Sequence, residues 1–525
     1  MIGVLSSGIW HIPHLDSLLG EPVVRLRRWQ VPTCSRIAGW GLKPSAQDAR
    51  AYARRHRLPF VSLEDGFLRS VGLGPEAPPL SLVMDQAGIY YDASAPSDLE
   101  QKIALPLDDR AQVRAQQLIA AWRDAQVSKY NHNRDWCGTL PSPYVLLIDQ
   151  TAGDASIAGG LADAQAFQRM LEDARRLYPD HTLLIKRHPE VLAGRKRGHF
   201  DELTDDAFPH LKCLSEDVHP ARLLAQADAV FVVTSQLGFE ALIWGIPVHV
   251  YGMPFYAGWG LTQDHQPAPA RRTTVSLEQL VHAALVSYPR YVDPETGASC
   301  EVERVIAWLG LQRRFRERFP ATLYAIRFAP WRWDTVRRFL QGSEVRFVRR
   351  AEQVPPDSTL VVWGQKVIPG RLPDSTRILR IEDGFLRSVG LGADFIRPLS
   401  WAMDRRGMYY DASAPSDLEQ ILSTIHFDAA LLARAQRLRE RIRATGLTKY
   451  NVGQMDWQPP VGHGEVVLLP GQVESDASLA KASPLFQTKL ELREAARARC
   501  PQAWIVYKPH PDVVAGARKA SDAEQ

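Results

Sequence analysis

Short apolar runs alternate with amphipathic segments along residues 144–252. The run YVLLIDQ at 144–150 predicts a buried strand, and AQAFQRMLEDARRLY at 164–178 predicts an amphipathic helix after it. The run TLLIKRHP at 182–189 predicts the next strand, and the same order continues to a strand in PVHVYG at 247–252. Because strands that alternate with helices favour a parallel sheet covered on both faces, this pattern predicts an α/β, doubly wound fold.

The residues before this region show a similar but less regular pattern. Two runs, RIAGWGL at 36–42 and LPFVSLEDG at 58–66, look like strands that end in turns. A helix with a stripe of Leu, Ala and Ile is predicted after Ala104, with its N-cap at Asp108 or Asp109. This half of the region is therefore predicted to be α/β as well.

Two such halves, joined near residues 132–143, would face each other. Ligands of open α/β sheets bind beyond the carboxyl ends of the strands. Asp154, His188 and Ser235 each lie at or just after the end of a predicted strand. We therefore expect them to meet in one cleft although they are far apart in the sequence.

Two long segments of the chain occur twice, letter for letter. EDGFLRSVGLG at 64–74 recurs at 382–392, and YYDASAPSDLEQ at 90–101 recurs at 409–420. Shorter matches follow in the same order: SKYN with TKYN at 128–131 and 448–451, DQTAGDAS with GQVESDAS at 149–156 and 471–478, and IKRHPEVLAGRK with YKPHPDVVAGAR at 185–196 and 507–518. A period of about 320 residues is too long for a solenoid and indicates a duplicated multidomain module. Because polar residues near loops often mark sites, we interpret the retained Glu-Asp-Gly, His-Pro and Gln-x-x-x-Asp motifs as functional.

The second copy is shorter than the first within this sequence. It ends soon after its His-Pro motif, with no counterpart to Thr234, Ser235 or Glu240. We therefore expect an active first module and an incomplete, inactive second module.

Composition narrows the class of protein. The 525 residues are 45% apolar and 23% charged, which is typical of a globular protein and excludes a disordered chain. The net charge of +4 argues against a protein that wraps nucleic acid. The five cysteines form no CxxC pair, which argues against a zinc site or a disulfide framework. Because the sequence has neither a membrane-spanning apolar run nor the features of an export signal, a cytoplasmic protein is predicted.

Two segments are suited to hold the phosphate and ribose of a nucleotide. Thr234 and Ser235 stand at the start of a predicted helix, where backbone N–H groups favour an anion, and Glu240 follows as an acceptor for ribose hydroxyls. The alternative is an N-cap serine with an exposed helical glutamate. Lys186 and the imidazole of His188 lie at a strand end with a further cation, Arg187, between them. These three side chains suit a phosphate, whereas a lone histidine is usually structural.

Glu64 and Asp154 are the acids available for chemistry in the first copy. A carboxylate pair at a cleft permits acid/base catalysis, or a nucleophile with an acid/base. The alternative is that Asp154 caps a helix and Glu64 or Asp65 caps a turn. The sequence contains no HExxH, Walker, GxSxG or GxGxxG motif, which argues against zinc-protease, P-loop, hydrolase and dinucleotide chemistry.

The doubled EDGFLRSVGLG, YYDASAPSDLE, Gln-x-x-x-Asp and His-Pro motifs resemble those of the KpsC-type capsule polysaccharide proteins. These are bacterial transferases of β-Kdo (3-deoxy-D-manno-octulosonic acid). The resemblance implies tandem GT-B glycosyltransferase modules of two Rossmann-like subdomains each. In this sequence they would be 1–140 on the acceptor side, 141–320 on the CMP-sugar donor side, 321–462, and an incomplete 463–525.

The resemblance also implies a role for each motif. Asp154 would be the nucleophile that forms a glycosyl adduct, Glu64 the general acid/base, and His188 the group that stabilises the departing phosphate of CMP. Gln150, Lys186, Arg187, Thr234, Ser235 and Glu240 would complete the donor site. The equivalents in the second copy are Glu382, Asp476 and His510, with Pro509 replacing the cation Arg187.

The resemblance implies CMP-β-Kdo as donor and a Kdo-terminated, phosphatidylglycerol-linked lipid as acceptor, with no metal or other cofactor. It further implies the inner membrane surface and other capsule synthesis and export proteins as partners, and no nucleic acid. The basic segments at 313–319 and from Trp331 are candidates for contact with lipid or, equally, solvated helices. The alternatives are a transferase of another CMP-sugar, such as CMP-sialic acid, and a non-catalytic capsule-assembly scaffold.

Overall fold

The computed structural model describes residues 1–74, 77–392, 395–453, 457–459, 462, 464–473, 476–483, 485–486 and 488–514. It divides into two compact units, Met1–Arg318 and Phe319–Gln525. Residues 515–525, at the end of the fourth predicted subdomain, lie outside the described residues.

The strands of the first unit are short and mostly buried. In chain order they are β1 (Ile2–Val4), β2 (Val23–Arg25), β3 (Arg36–Trp40), β4 (Phe60–Asp65), β5 (Ser81–Asp85), β6 (Tyr144–Ile148), β7 (Thr182–Lys186), β8 (Leu211–Leu214), β9 (Ala229–Val232), β10 (Val248–Val250), β11 (Gln263–Asp264), β12 (Pro289–Val292) and β13 (Ser299–Cys300).

The α-helices of the first unit lie between these strands. They are α1 (Ser7–Trp10), α2 (Leu15–Leu19), α3 (Pro44–Arg55), α4 (Asp98–Ile103), α5 (Asp109–Ala125), α6 (Ala155–Gly159), α7 (Ala164–Leu177), α8 (Pro189–Leu192), α9 (Pro220–Gln226), α10 (Leu237–Trp244), α11 (Leu277–His282) and α12 (Val302–Glu317), with a π-helical turn at Ala283–Ser287.

The second sheet of the first unit is parallel throughout, in the order β11-β10-β9-β6-β7-β8. Along β6, Val145 and Leu147 belong to one buried cluster, while Leu146 and Ile148 belong to another. Because side chains alternate between the faces of a strand, both faces of this sheet are covered. The predicted doubly wound arrangement is confirmed for this half of the unit.

The first sheet is mixed, in the order β13-β12-β5-β4-β3-β1-β2. Strands β1 to β4 pair in parallel, but β5 runs antiparallel to β4. The segment between β4 and β5 contains no crossover helix among its described residues, and a parallel return needs one. Strands β12 and β13, from the predicted 141–320 subdomain, extend this sheet, so the chain returns to its first half.

Local capping signals fix the start of one helix and the end of another. Asp108 is the N-cap of α5 and its side chain accepts a hydrogen bond from the N–H of Ala111 at 2.7 Å, as one of the two predicted alternatives requires. Gly245 ends α10 with a φ of 76°, a left-handed conformation that glycine adopts without strain. Of these two helices, α10 contributes Leu237 and Glu240 to the wall of the cleft described below.

The second unit repeats the plan of the first. Its strands are β14 (Thr322–Ile326), β15 (Glu344–Val348), β16 (Thr359–Trp363), β17 (Arg377–Asp383), β18 (Trp401–Asp404), β19 (Val466–Pro470) and β20 (Trp504–Lys508). Its α-helices are α13 (Trp333–Phe339), α14 (Asp417–Thr424), α15 (Ala429–Thr445), α16 (Ala477–Ala482), α17 (Lys489–Arg499) and α18 (Pro511–Val514), with 3₁₀ turns at Pro330–Arg332 and Ala351–Gln353. The sheet β15-β14-β16-β17-β18 is parallel except for β18, and β19 pairs in parallel with β20.

Two observations bear on the membrane. No described helix is both long and apolar enough to cross a bilayer. The basic segment at 313–319 begins inside the first unit: Arg313 is only 3% exposed and pairs with Asp135 at 3.0 Å and Glu317 at 2.8 Å. Because that guanidinium is buried and paired, it is not part of a lipid-facing surface.

Candidate functional site

A cleft of about 710 Å³ lies in the first unit, beyond the carboxyl ends of the parallel strands. Residues after β3, β4, β6, β7 and β9 line it, as expected for an open α/β sheet. The cleft collects every site residue that the sequence predicted for the first copy: Glu64, Gln150, Asp154, Lys186, Arg187, His188, Thr234, Ser235 and Glu240.

Glu64 lies near the end of β4, beside Asp65. Its Oε1 accepts a hydrogen bond from the N–H of Asp65 at 3.2 Å, and Asp65 itself is paired with Arg69 at 2.8 Å. Burial raises the pKa of the Glu64 carboxyl to about 7, and the negative charge of Asp65 adds to the effect. A carboxyl with this pKa can both give and take a proton near neutral pH.

Asp154 begins α6 and also faces the cleft. Its Oδ1 accepts a hydrogen bond from the N–H of Ser156 at 2.9 Å, so the predicted capping role is confirmed. The second carboxylate oxygen accepts no hydrogen bond from the described residues. The cap therefore orients the side chain and leaves one oxygen toward the cleft.

His188 is held at the start of α8. Its Nδ1 accepts a hydrogen bond from the N–H of Glu190 at 3.2 Å, so in the neutral ring the proton sits on Nε2. Burial lowers the pKa of His188 below its usual value, which outweighs the opposite effect of Glu190. The ring is therefore a neutral N–H donor at neutral pH.

Gln150 joins the end of β6 to the loop before α10. Its Oε1 accepts from the N–H of Thr234 at 2.9 Å, and its Nε2 donates to the Thr234 hydroxyl at 2.9 Å. The Thr234 hydroxyl also lies 3.1 Å from that of Ser156. Gln150 therefore positions Thr234 through contacts within the protein, and its contact with a donor stays a prediction.

Glu240 is buried inside the first unit. It is 1% exposed, and its Oε1 accepts from the N–H of Lys129 and from Nε2 of Gln236, both at 3.2 Å. Burial raises its pKa to about 7. The alternative of an exposed helical glutamate is therefore wrong, because Glu240 is enclosed. The N-cap of α10 is Gln236, and the Ser235 hydroxyl accepts a hydrogen bond from the N–H of Leu237 at 3.3 Å, so the predicted serine does contact the start of this helix.

The two predicted cations beside His188 already have partners. The Lys186 ammonium lies 3.7 Å from Asp217, and the Arg187 Nη2 donates to the carbonyls of Phe200 and Leu203. Burial lowers the pKa of Lys186. Their role in binding phosphate remains a prediction.

Tyr91 and Gly41 belong to the site but were missed by the sequence reasoning. A Cβ at Gly41 would lie 2.2 Å from the Tyr91 hydroxyl and 2.9 Å from Oε2 of Glu64, so only glycine allows this approach. The N–H of Leu42 donates to the Tyr91 hydroxyl at 3.0 Å. The signal was present, because WGLK at 40–43 recurs as WGQK at 363–366.

The second unit contains a cleft of about 810 Å³ that brings together Glu382, Asp476 and His510. Asp476 Oδ1 accepts from the N–H of Ser478 at 2.9 Å, and His510 Nδ1 accepts from the N–H of Asp512 at 3.2 Å. Burial raises the pKa of Glu382, as it does for Glu64. The hydrogen bonds that orient the acid and the imidazole are therefore the same in both units.

A comparison with protein-family models tests the relationship to capsule polysaccharide proteins that these motifs suggested. The model of the family described as "Capsule polysaccharide biosynthesis protein" matches residues 35–136, 111–291 and 373–525. The chain belongs to this family. The predicted relationship to capsule polysaccharide proteins is thereby confirmed.

Individual members of the family agree with this assignment. The chain is 39% identical over 540 residues to the capsule polysaccharide modification protein LipA of Neisseria meningitidis serogroup B, covering 98% of this chain and 76% of LipA. Among solved structures, the β-Kdo 2,4 transferase of Thermosulfurimonas dismutans KpsC is 41% identical with a TM-score of 0.55, covering 59% of this chain and 97% of that one. The similarity supports the α/β fold described above.

Proposed function

We propose that this protein is a retaining β-Kdo transferase that moves Kdo from CMP-β-Kdo to a Kdo-terminated, lipid-linked acceptor. The observation that carries the proposal is the meeting of Glu64, Asp154 and His188 in one cleft. The similarity to a KpsC β-Kdo transferase supports this choice of sugar. We further propose that the second unit is a second GT-B module of the same kind.

The first step would be attack by the free oxygen of Asp154 on the anomeric carbon of Kdo. The bond from that carbon to the phosphate oxygen of CMP breaks, and its electron pair leaves with CMP. The neutral His188 would donate its Nε2 proton in a hydrogen bond to the phosphate, and the N-terminal end of α10 would add its N–H groups. We propose that CMP leaves without a metal, because His188 and the start of α10 line the cleft and can supply these donors.

The second step would transfer the sugar to the acceptor. Glu64 takes the proton of the acceptor hydroxyl as the hydroxyl oxygen attacks the anomeric carbon, and the bond to Asp154 breaks. Two inversions at one carbon retain its configuration. A pKa of about 7 lets the Glu64 carboxylate accept this proton at neutral pH.

We also propose that the protein works in the cytoplasm at the inner membrane surface, with other capsule synthesis and export proteins. The acceptor is lipid-linked in this proposal, and Trp331, next to Arg332, is 55% exposed. An exposed aromatic ring beside a cation suits a surface of anionic lipid.

Trapping the adduct tests the proposed function. In Glu64→Gln, incubation with CMP-β-Kdo is expected to add the mass of one Kdo residue to the intact chain, because the second step lacks its base. Peptide mapping should place the sugar on Asp154, and the control Glu64→Gln with Asp154→Asn should stay unlabelled. A sugar adduct from CMP-sialic acid but not from CMP-β-Kdo would favour the alternative donor. Absence of any adduct, combined with full transfer by Asp154→Ala, would contradict the nucleophile.

A further inference from the structure

Lys129 is fixed by its backbone at the wall of the first cleft. Its N–H donates to Glu240 Oε1 at 3.2 Å, and its carbonyl accepts from the N–H groups of Arg69 at 3.1 Å and Ser70 at 3.3 Å. These bonds tie the residue both to α10 and to the segment after β4. The side chain therefore starts from a rigid point between the acid Glu64 and the predicted ribose site.

The side chain of Lys129 is partly buried, and its ammonium has no acceptor among the described residues. The side chain is partly buried and lines the cleft, yet no described residue forms an ion pair with its Nζ or accepts a hydrogen bond from it. Its Nζ lies over the ring of Tyr130, 5.9 Å from the ring centroid. Burial alone lowers the pKa of this ammonium, but the polar and acidic groups around it raise that pKa above its usual range, so it stays charged.

The other cations that line the cleft differ from Lys129. Lys186 pairs with Asp217, Arg187 donates to two carbonyls, and Lys196 pairs with Glu190 at 2.6 Å. Lys43 is exposed to water and lies over the ring of Trp40. Among the described residues of the cleft, Lys129 is thus the partly buried lysine whose charge is left for a ligand. No hydrogen-bond acceptor among the described residues therefore competes with a ligand anion for this ammonium.

The second unit repeats this arrangement around Lys449. Its carbonyl accepts from the N–H groups of Arg387 at 2.8 Å and Ser388 at 3.2 Å, and its Nζ lies 5.4 Å from the ring of Tyr450. Lys449 is also partly buried, lines the cleft with Glu382, and forms no ion pair with a described residue. In both units, therefore, the equivalent lysine has no acceptor among the described residues. This repetition indicates a role in ligand binding rather than in core packing.

We infer that Lys129 binds the carboxylate of the sugar acid in the donor and thereby selects a nucleotide-linked 2-keto sugar acid over a neutral sugar. This inference rests on the proposed function and adds a residue that recognises the substrate. Kdo carries its carboxylate on the anomeric carbon, so the anion sits next to the reacting centre. The backbone of Lys129 is held against Glu240, and its side chain lines the same cleft as Glu64, so its ammonium can meet the carboxylate of a sugar whose nucleotide occupies the α10 side of the cleft. The acceptor also ends in a sugar acid, and the experiment separates the two sources.

The test compares binding of CMP and CMP-β-Kdo by calorimetry, using the full chain with Asp154→Asn so that the donor is not consumed. Lys129→Met is expected to weaken the binding of CMP-β-Kdo about ten- to a hundredfold, which is the effect of losing one charge-assisted hydrogen bond. The affinity for CMP should stay within about twofold of its original value. Lys129→Arg should restore part of the affinity. The matched control Lys43→Met, in the same cleft but exposed, should change neither.

Four results would overturn the inference. If Lys129→Met weakened the binding of CMP and of CMP-β-Kdo equally, Lys129 would contact the nucleotide. If it changed neither affinity, Lys129 would not belong to the donor site. Unchanged donor binding, together with a raised KM for the Kdo-lipid acceptor when Lys129→Met is made in a chain that keeps Asp154, would assign the lysine to the acceptor's carboxylate. If the Asp154→Asn chain with Lys129 intact binds CMP but not CMP-β-Kdo, the proposed function fails as well, which distinguishes the two failures.

Discussion

The two units contain the same eleven letters, EDGFLRSVGLG, in different surroundings. Phe67 in the first copy is fully buried, whereas its counterpart Phe385 is 62% exposed. Phe67 packs against Phe255 and Phe239, with ring centroids 4.5 and 6.0 Å away. The ring of Tyr409 lies 5.1 Å from that of Phe385, but no ring among the described residues of the second unit takes the places of Phe239 and Phe255.

The helices α5 and α15 differ in the same way. Leu118 in α5 is 1% exposed because α10, α11 and α12 pack on this helix, whereas the equivalent Leu438 in α15 is 55% exposed. The aspartates and imidazoles of the two candidate sites nevertheless make matching hydrogen bonds in both units. The orientation of these side chains is therefore set by short-range bonds within each motif, while their burial depends on distant segments.

The largest expected effect separates the two clefts by activity. Asp154→Ala should lower Kdo transfer at least about a thousandfold, because it removes the proposed nucleophile. Asp476→Ala should lower transfer by less than about twofold, since no described residue of the second unit takes the place of Thr234 or Glu240 beside it. The measurement is transfer of Kdo to a synthetic acceptor by each variant. Loss of product with Asp476→Ala would show that the second cleft also works in this chain.

The next prediction compares how the same Phe→Ala substitution changes the stability of each unit. Phe67→Ala should lower the free energy of unfolding by about 3–5 kcal/mol, because it leaves a cavity among aromatic rings. Phe385→Ala, the same change in the same motif, should cost less than about 0.5 kcal/mol because the ring is exposed. Urea denaturation of the two variants measures both values. Equal losses would mean that Phe385 is covered in solution.

Much of the site could be predicted from the sequence because it is built at strand ends. Asp154, His188 and Ser235 were expected to converge, and they line one cleft. Asp108 was one of two predicted caps, and its own hydrogen bond identifies it. These features depend on neighbours within three or four residues, which a sequence pattern records directly.

The features that were missed depend on long-range packing. Arg187 turns to the carbonyls of Phe200 and Leu203, and strand β12 joins β5, from which about 200 residues separate it. Glu240 is buried, and its carboxylate accepts from the N–H of Lys129, which is distant in the sequence. No local pattern encodes such partners, so polar motifs indicated the site but not the bonds within it.

The smallest of these effects is the pH dependence of transfer. In its proposed role as the base, Glu64 must be ionised, and its pKa of about 7 means that transfer should fall about tenfold for each pH unit below 7. His188 adds no inflection there, because burial keeps its pKa below the usual value and the ring neutral. Glu64→Gln should remove the inflection together with most of the activity, and the matched Glu382→Gln should leave the inflection in place. A profile of kcat/KM against pH measures this for all three chains. An unshifted inflection in Glu64→Gln would assign it to another group, and its loss in Glu382→Gln would make the second unit the source of the measured activity.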